Sequence, residues 1–227
     1  MTTQNAPNQR PHPLTDTNHL AETKADATAS GLGGRKLYLA SGSPRRGQLL
    51  SQINCAYETV IAPTEEVALP GESPASFVQR MAVEKASNGF AKVPGLAIWV
   101  VGADTAICLD KQVLGQPRTV AAAKRMLRQL SGRTHQVLSS VCVVHDGEVS
   151  VRLNQTQVTF RPLTETEIEA YCQTSEPLDK AGAYAIQGQA ARFIERIEGS
   201  YSAVMGLALF ELDQLLQATG FWERQDV

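Results

Sequence analysis

Residues 96–103, with the sequence LAIWVVGA, form a nearly continuous apolar run near the middle of the chain. A short run of this kind, rich in β-branched and aromatic residues, is typical of a strand that is covered on both faces. Such a strand belongs in the interior of a sheet, with other elements packed above and below it. We therefore expect a layered fold with this strand at its centre.

Strands and helices are mixed along the rest of the chain. Alternating or apolar segments bounded by turn residues predict strands at 36–40, 57–61, 106–114 (a hairpin), 135–144, 151–160 and 192–197. Start signals and apolar stripes predict helices at 44–52, 119–130, 164–173 and 207–218, and one that begins at 74. Asp146-Gly147 is a strong two-residue hairpin turn. The fold class is therefore α/β or α+β with a mixed sheet.

The first 34 residues differ in composition from the rest of the 227-residue chain. They contain no Val, Ile, Phe, Tyr, Trp or Cys, so they cannot bury enough apolar surface to offset the entropy of ordering them. We expect a flexible tail at 1–34 and one folded domain at 35–227. The tail has no apolar core of a secretory signal, and its acidic residues make it a poor transit peptide.

Charge and cysteine content exclude several classes of protein. The formal charge of −2 gives no basic excess, which argues against a nucleic-acid-binding protein. No stretch approaches about 18 consecutive apolar residues, so we expect no membrane span. The four cysteines are far apart and form no CxxC pair, which favours small buried side chains in a reducing compartment. We therefore expect a cytoplasmic protein.

The sequence SGSPRR at 41–46 lies between a predicted strand and a predicted helix. Backbone N–H groups at a helix N-terminus attract anions, the hydroxyls of Ser41 and Ser43 add donors, and the guanidinium groups of Arg45 and Arg46 can grip phosphate oxygens. The alternative is a helix capped by Ser43 with two solvated arginines. The pattern favours an anion site, although the spacing of a Walker loop is absent.

Three further side chains in the N-terminal half of the domain are candidates for chemistry. Asp104 comes where the apolar run ends, where a carboxylate could hold a metal ion or accept a proton from water. The alternative is a turn-forming Asp bonded to nearby N–H groups. Glu66 could add a metal ligand or belong to an acidic loop. Lys85, inside a predicted helix, could reach a phosphate or be solvated.

Residues 176–188 concentrate charged and small residues with one Tyr and one amide. Gly182 and Gly188 permit close backbone approach, which suits a ligand-binding loop, while a structural loop on the core remains the alternative. His135, at the start of a predicted strand, has no acid or nucleophile patterned beside it. We treat His135 as structural and leave a ligand role open.

Taken together, these segments resemble the Maf family of nucleotide pyrophosphatases. The resemblance covers about residues 36–215 and keeps its order throughout. It rests on LASGSPRR at 39–46, GADT at 102–105, LSGRTHQV at 130–137, EPLDKAGAYAIQG at 176–188, GSY at 199–201 and VMGL at 204–207.

The resemblance implies an elongated α/β fold with a mixed sheet and two lobes around a central groove, similar to the inosine triphosphate pyrophosphatases. It implies hydrolysis of a nucleoside triphosphate to the monophosphate and pyrophosphate, with a divalent cation, Mg²⁺ or Mn²⁺. It also implies a homodimer, and the family name carries a link to septum formation and cell division.

The resemblance also implies roles for particular residues. The proton acceptor falls on Asp104, and the specificity positions fall on Arg45, Thr105 and Gln187. Further substrate-binding positions are Ser41, Ser43, Arg46, Lys85 and Lys180. The implied metal ligands are Glu66 and Asp104.

The segment around Gln187 resembles the branch of the family that acts on dTTP and UTP, with 5-methyl-UTP as a possible further substrate. The branch that acts on 7-methyl-GTP carries an acid in place of this Gln. An amide offers a donor and an acceptor that complement thymine or uracil, but it must be held in one orientation to exclude cytosine. Gln116 departs from the family, because relatives usually have Lys there. The alternatives are a pyrophosphatase for another modified nucleotide, such as 7-methyl-GTP, and a low-turnover nucleotide-binding regulator of division.

Overall fold

The computed structural model describes residues 34–222. The predicted tail therefore lies outside the described residues, apart from Gly34. Within residues 34–222, no helix is long and apolar enough to cross a membrane.

A seven-stranded mixed sheet forms the centre of the molecule, in the order β2-β1-β3-β5-β6-β7, with β4 paired to β3. β1 runs parallel to β2 and to β3, and the other pairs are antiparallel. The predicted mixed α/β architecture is confirmed, and the apolar run lies in the central strand β3. The strands are β1 Lys36–Leu39, β2 Glu58–Thr59, β3 Ile98–Leu109, β4 Gln112–Leu114, β5 Thr134–His145, β6 Glu148–Phe160 and β7 Ile194–Glu198.

Helices cover both faces of the sheet, and their starts follow local capping chemistry. The side chains of Ser73 and Thr119 each accept a hydrogen bond from a backbone N–H of the first turn, and Thr164 forms the predicted capping box with Glu167. The helices are α1 Pro44–Gln52, α2 Pro74–Phe90, α3 Val120–Leu130, α4 Glu165–Cys172, α5 Tyr201–Met205 and α6 Leu209–Ala218. Short 3₁₀ turns occupy Glu176–Asp179, Ala181–Ala183 and Gln189–Phe193.

Helix α2 lies against one face of β3 at very short range. A Cβ atom added to Gly102 would lie 2.3 Å from the backbone oxygen of Ala82 and 2.9 Å from the Cβ of Ala86. Only glycine permits this approach, and it brings the side chains of α2 directly over the middle of β3. This contact places Lys85 beside Asp104.

The opposite face of the sheet carries two separate apolar clusters. One packs Trp99 and Val101 of β3 against α1 and α6, and the other packs Ile107 against α3, α4 and the 3₁₀ turns. Thr105 lies between these residues along β3, at the junction of the two clusters. We call each cluster, together with the elements that pack on it, a lobe.

The predicted end of the apolar strand at residue 103 is wrong. β3 continues through Asp104 to Leu109, and it stays paired with β5 from Trp99 to Cys108. The prediction failed because a charged residue after an apolar run looks like a strand end when its surroundings are unknown. Two other boundaries differ: β2 is shorter than predicted, and α5, which ends at Gly206 with a positive φ of 119°, was not predicted.

Asp104 reaches a groove although it lies inside a strand, because one edge of β3 is open at this point. β1 pairs with β3 only as far as Val101, and β4 pairs with it only from Ile107. Among the described strands, none covers residues 102–106 on that edge. The groove between the lobes begins at this gap.

Candidate active site

A cavity of about 230 Å³ opens at the uncovered edge of β3, between the two lobes. A second cavity, of about 340 Å³, adjoins it and shares Ser43, Arg46, Glu66 and Lys85 with it. We call the two together the groove. The groove brings together all of the predicted site residues, whose roles remain predictions: Ser41, Ser43, Arg45, Arg46, Glu66, Lys85, Asp104, Thr105, Lys180 and Gln187.

Asp104, Lys85 and Glu66 form an ion-pair cluster on the α2 side of the groove. Lys85 Nζ lies 2.7 Å from Asp104 Oδ1 and 2.5 Å from Glu66 Oε1. Asp104 is 8% exposed, and Glu66 is exposed on the loop before α2. Asp104 bonds through its side chain to Lys85 and not within a turn, so the turn-forming alternative is wrong.

Burial raises the pKa of Asp104 above its usual value. The charge and hydrogen bond of Lys85, and the charge of Arg46, oppose this shift. A carboxylate with a raised pKa is a stronger base than an ordinary Asp, and the two neighbouring cations favour its ionised form. Such a group can take a proton from water.

Arg46 ties the loop before α1 to the end of α5. Its Nε donates to the carbonyl oxygen of Gly206 at 2.8 Å, and its Nη1 donates to Ser41 Oγ at 2.9 Å. Burial lowers the pKa of Arg46, while the negative charges of Asp104 and Glu66 act to raise it. The guanidinium group remains charged, because the ordinary pKa of arginine is far above neutral pH. The alternative of two solvated arginines therefore fails for Arg46.

Some of the backbone donors predicted in the 41–46 loop already have partners. Ser43 N donates to Ser41 Oγ at 3.2 Å, and Arg46 N donates to the carbonyl oxygen of Ser43 at 3.2 Å. Ser43 occupies the N-cap position of α1, but within the described chain its side chain makes no capping hydrogen bond. The Ser43 hydroxyl borders both cavities of the groove instead.

Thr105, which lines the groove, contacts a buried hydroxyl that the sequence analysis did not single out. Thr105 Oγ1 lies 3.3 Å from Ser139 Oγ on the neighbouring strand, and both Ser139 and Ser140 are fully buried. The pair of hydroxyls inside the otherwise apolar run 137–144 was the signal that could have found Ser139. Thr105 and Ser139 place polar groups at the junction between the two lobes.

Residues from 179 to 187 form a wall of the groove across from the 41–46 loop. Lys180 and Asp179 both line the cavity and form an ion pair, and this hydrogen bond lowers the pKa of Asp179. Gln187 lines the same cavity and is exposed. In the described part of the chain, its side chain has no hydrogen-bond partner, so no neighbouring side chain fixes the orientation of the amide.

His135 lies in the core beneath this wall. Its Nε2 lies 2.8 Å from the hydroxyl of Tyr184, and its ring makes edge contacts with Phe160 and Tyr184. Burial lowers the pKa of His135 to about 4. Nδ1 is buried and has no partner within residues 34–222. The neutral ring therefore supports Tyr184, which itself lines the groove.

The residues present fit a divalent cation that is shared with a substrate. Within residues 34–222, no three His, Cys, Asp or Glu side chains form a cluster that could enclose an ion alone. Mg²⁺ commonly binds through one or two carboxylates together with substrate phosphates. Glu66 and Asp104 both form an ion pair with Lys85 Nζ, so they supply two carboxylates that lie close together.

Known proteins are similar to this chain over nearly all of the described residues. A family model described as Maf-like protein matches residues 36–219. A dTTP/UTP pyrophosphatase from Hydrogenovibrio crunogenus is 56% identical over 188 residues, which cover 83% of this chain and 98% of the relative. A dTTP/UTP pyrophosphatase from Vibrio cholerae is 51% identical over 181 residues, which cover 80% of this chain and 96% of the relative. The family model spans the whole sheet and every groove residue described above, and the chain belongs to the Maf family.

Proposed function

We propose that this chain is a nucleoside triphosphate diphosphatase that hydrolyses dTTP and UTP to the monophosphate and pyrophosphate. The observation that carries the proposal is the buried Asp104, which is held beside Lys85 and Arg46 in a groove that has Gln187 on its opposite wall. The similar relatives that bear the name dTTP/UTP pyrophosphatase match this chain over nearly their whole length, which supports the same activity.

The cations of the groove suit a triphosphate. Arg45 and Arg46 lie at one wall, Lys85 lies on α2, and Lys180 lies on the facing segment. A triphosphate carries several negative charges, and cations in a partly enclosed groove bind it more strongly than they would in open water. We assign Ser41 and Ser43 as hydroxyl donors to the same phosphates.

We assign the binding of a divalent cation, Mg²⁺ or Mn²⁺, to Glu66 and the substrate phosphates, with Asp104 nearby. When bound, such an ion would neutralise charge on the phosphate oxygens. A carboxylate that coordinates an ion is a weaker base. We therefore assign the proton transfer to Asp104. The more exposed Glu66 would be the main carboxylate ligand of the cation.

The reaction that fits this arrangement is attack of water on the α-phosphorus. Asp104 accepts a proton from the water as its oxygen bonds to phosphorus in line with the leaving group. The bond between the α-phosphorus and the bridging oxygen breaks, and pyrophosphate leaves with that electron pair. Lys85 and the two arginines stabilise the added charge, so positioning and charge neutralisation supply most of the acceleration.

We assign recognition of the nucleotide base to Gln187. The amide offers an N–H donor to the carbonyl and an oxygen acceptor to the N–H of thymine or uracil. The 5-methyl group lies away from this edge of the ring, which is consistent with use of dTTP, UTP and 5-methyl-UTP alike. A cationic base such as 7-methylguanine would be served better by an acid than by the neutral Gln187.

A second candidate is a regulator of cell division that binds nucleotides with little turnover. The neutral Gln116, at a position in the groove where family members usually have Lys, is the observation that favours it. Clearance of nucleotide pools, a homodimer and a cytoplasmic location remain predictions. Four free and buried cysteines among the described residues support a reducing compartment.

Pyrophosphate release tests the proposal. Wild type and Asp104→Asn are compared on dTTP, UTP, 5-methyl-UTP, CTP, GTP and 7-methyl-GTP with Mg²⁺ or Mn²⁺. We expect turnover of the thymine and uracil nucleotides, and a loss of about 10²–10⁴-fold in the variant. The matched control is Asp213→Asn, a partly exposed α6 carboxylate that is bonded only to Gln217 among the described residues, and this variant should retain full activity. Near-normal turnover by Asp104→Asn would refute the mechanism, and binding without turnover by wild type would favour the regulator.

A further inference from the structure

Gln187 lies in a tight turn on the groove wall. Gly188 N donates to the carbonyl oxygen of Ala185 at 3.0 Å, which makes residues 185–188 a four-residue turn with Gln187 at its third position. We call these four residues the base turn. Because the Gln187 amide has no hydrogen-bond partner in the described chain, its position depends on the backbone of the base turn.

One pair of side chains, the partly buried Glu176 and the buried Tyr171, contacts the base turn at both of its ends. On the C-terminal side, the Glu176 carboxylate accepts from the backbone N–H groups of Gln189 at 2.9 Å and Ala190 at 3.3 Å. On the N-terminal side, the backbone N–H of Ala185 faces the hydroxyl of Tyr171 and lowers the pKa of that hydroxyl. The same hydroxyl donates to Glu176 Oε1 at 2.8 Å, so both ends of the turn meet at one carboxylate.

Packing leaves this carboxylate little freedom to move. Tyr171 is fully buried, and burial raises the pKa of its hydroxyl, which keeps the proton available for donation to Glu176. A Cβ atom added to Gly188 would lie 2.4 Å from both Glu176 oxygens. Hydrogen bonds to a charged acceptor are stronger than neutral ones, so three donors on Glu176 hold the turn firmly.

We propose that Glu176 is a positioning residue for base selection, which fixes the base turn through Tyr171 and the backbone and so directs the Gln187 amide at the base. The inference rests on the proposed function, because it assigns a cause to the selectivity of that reaction. A Gln side chain that rotates freely could bind cytosine as well as uracil. A fixed turn restricts the region that the amide can reach, and this restriction allows a preference for uracil.

The test measures kcat and KM for UTP and CTP in wild type, Glu176→Gln and Tyr171→Phe. Glu176→Gln removes the charge. Tyr171→Phe removes only the hydroxyl and keeps the buried ring, so it provides a second test if Glu176→Gln fails to fold. We expect the preference for UTP over CTP to fall about tenfold in each, mainly through a higher KM for UTP, as for the loss of one well-placed hydrogen bond. Gly188→Ala, which displaces the same carboxylate, should have the same effect and add little to Glu176→Gln.

Glu167→Gln is the matched control. Glu167 also accepts several hydrogen bonds, from Thr164 and Arg161, but it caps α4 and does not line the groove. Its loss should lower stability and leave the preference for UTP unchanged.

Several results would overturn the inference while hydrolysis itself stands. These are an unchanged UTP-to-CTP preference in Glu176→Gln and Tyr171→Phe, an equal loss of preference in Glu167→Gln, and equal turnover of UTP and CTP by wild type. Failure of the wild type to hydrolyse any nucleoside triphosphate would instead refute the proposed function. The two failures are therefore distinguishable in one set of measurements.

Discussion

Lys85 Nζ lies 2.7 Å from Asp104 Oδ1, and this contact joins the middle of α2 to the middle of β3. It exists because Gly102 lets α2 approach the strand closely, and because the edge of β3 is open beside Asp104. The contact favours the ionised form of a buried carboxylate, since the cation opposes the effect of burial on the pKa of Asp104.

Replacing Lys85 with Met should shift the acid side of the pH–activity profile. Without this cation, burial acts on Asp104 with less opposition, so the pKa of Asp104 rises further. Asp104 serves as a base only when it is deprotonated, so activity should then be lost at a higher pH as the solution is acidified. The measurement is kcat/KM for UTP from pH 5 to 9.

Lys124→Met is the control for this profile. Lys124 pairs with Glu169 at 3.6 Å and does not line the groove. Its loss should therefore leave the acid side of the pH–activity profile unchanged. A Lys85→Met profile that coincides with wild type in its acid limb would show that Asp104 is not the titrating base.

Gln116→Lys should strengthen substrate binding. The side chain lines the groove, and a cation there adds attraction for the triphosphate. Because the position is exposed, we expect KM for UTP to fall only about two- to fivefold, and we expect this gain to shrink as salt is added. Gln116→Met, which has a similar length and no charge, should behave as wild type. An equal change in KM for the two variants would contradict an electrostatic effect.

Gln187→Glu should weaken the use of UTP. A carboxylate can accept the N–H of uracil but cannot donate to its carbonyl oxygen, so kcat/KM for UTP should fall about ten- to a hundredfold. A cationic base suits the acid, so the relative rate with 7-methyl-GTP should rise. Gln112→Glu, an exposed change on β4, is the control and should alter neither rate. Retention of the full UTP preference would remove Gln187 from base recognition.

Local signals predicted much of the fold. The Asp146-Gly147 turn and the capping box at Thr164 each depend on a few neighbouring residues, and both were placed correctly. The end of β3 was misjudged, because the open strand edge beside Asp104 is set by where β1 and β4 stop. Strand pairing of this kind depends on residues far apart in the chain, and no local pattern encodes it.

The site shows the same division between local and distant information. The residues of the 41–46 loop and of 176–188 were predicted from short motifs, and the structure brings them to one groove. The pairing of Glu66 and Asp104 through Lys85 could not be deduced, because it depends on the path of an irregular loop and on the depth of α2. The role of Glu176 depends likewise on Tyr171, which lies on another element and looks like an ordinary core residue in the sequence.

His135 should make the stability of the fold depend on pH. In the folded chain its pKa is lowered to about 4, while in the unfolded chain it returns to its usual value near 6.5. Below that usual value the unfolded chain binds a proton that the folded chain excludes, so the free energy of unfolding should fall between about pH 6.5 and pH 4. The shift corresponds to a loss of up to about 3 kcal/mol.

Urea denaturation of wild type and His135→Gln at pH 7, 6, 5 and 4 would measure this effect. The variant replaces the titrating ring with a neutral side chain, so it should be less stable than wild type at pH 7, where the bond to Tyr184 is weakened or lost. The difference between the two proteins should narrow as the pH falls, because only wild type must exclude a proton. Two parallel curves would show that the ring accepts a proton inside the fold, with the unpaired Nδ1 as the site.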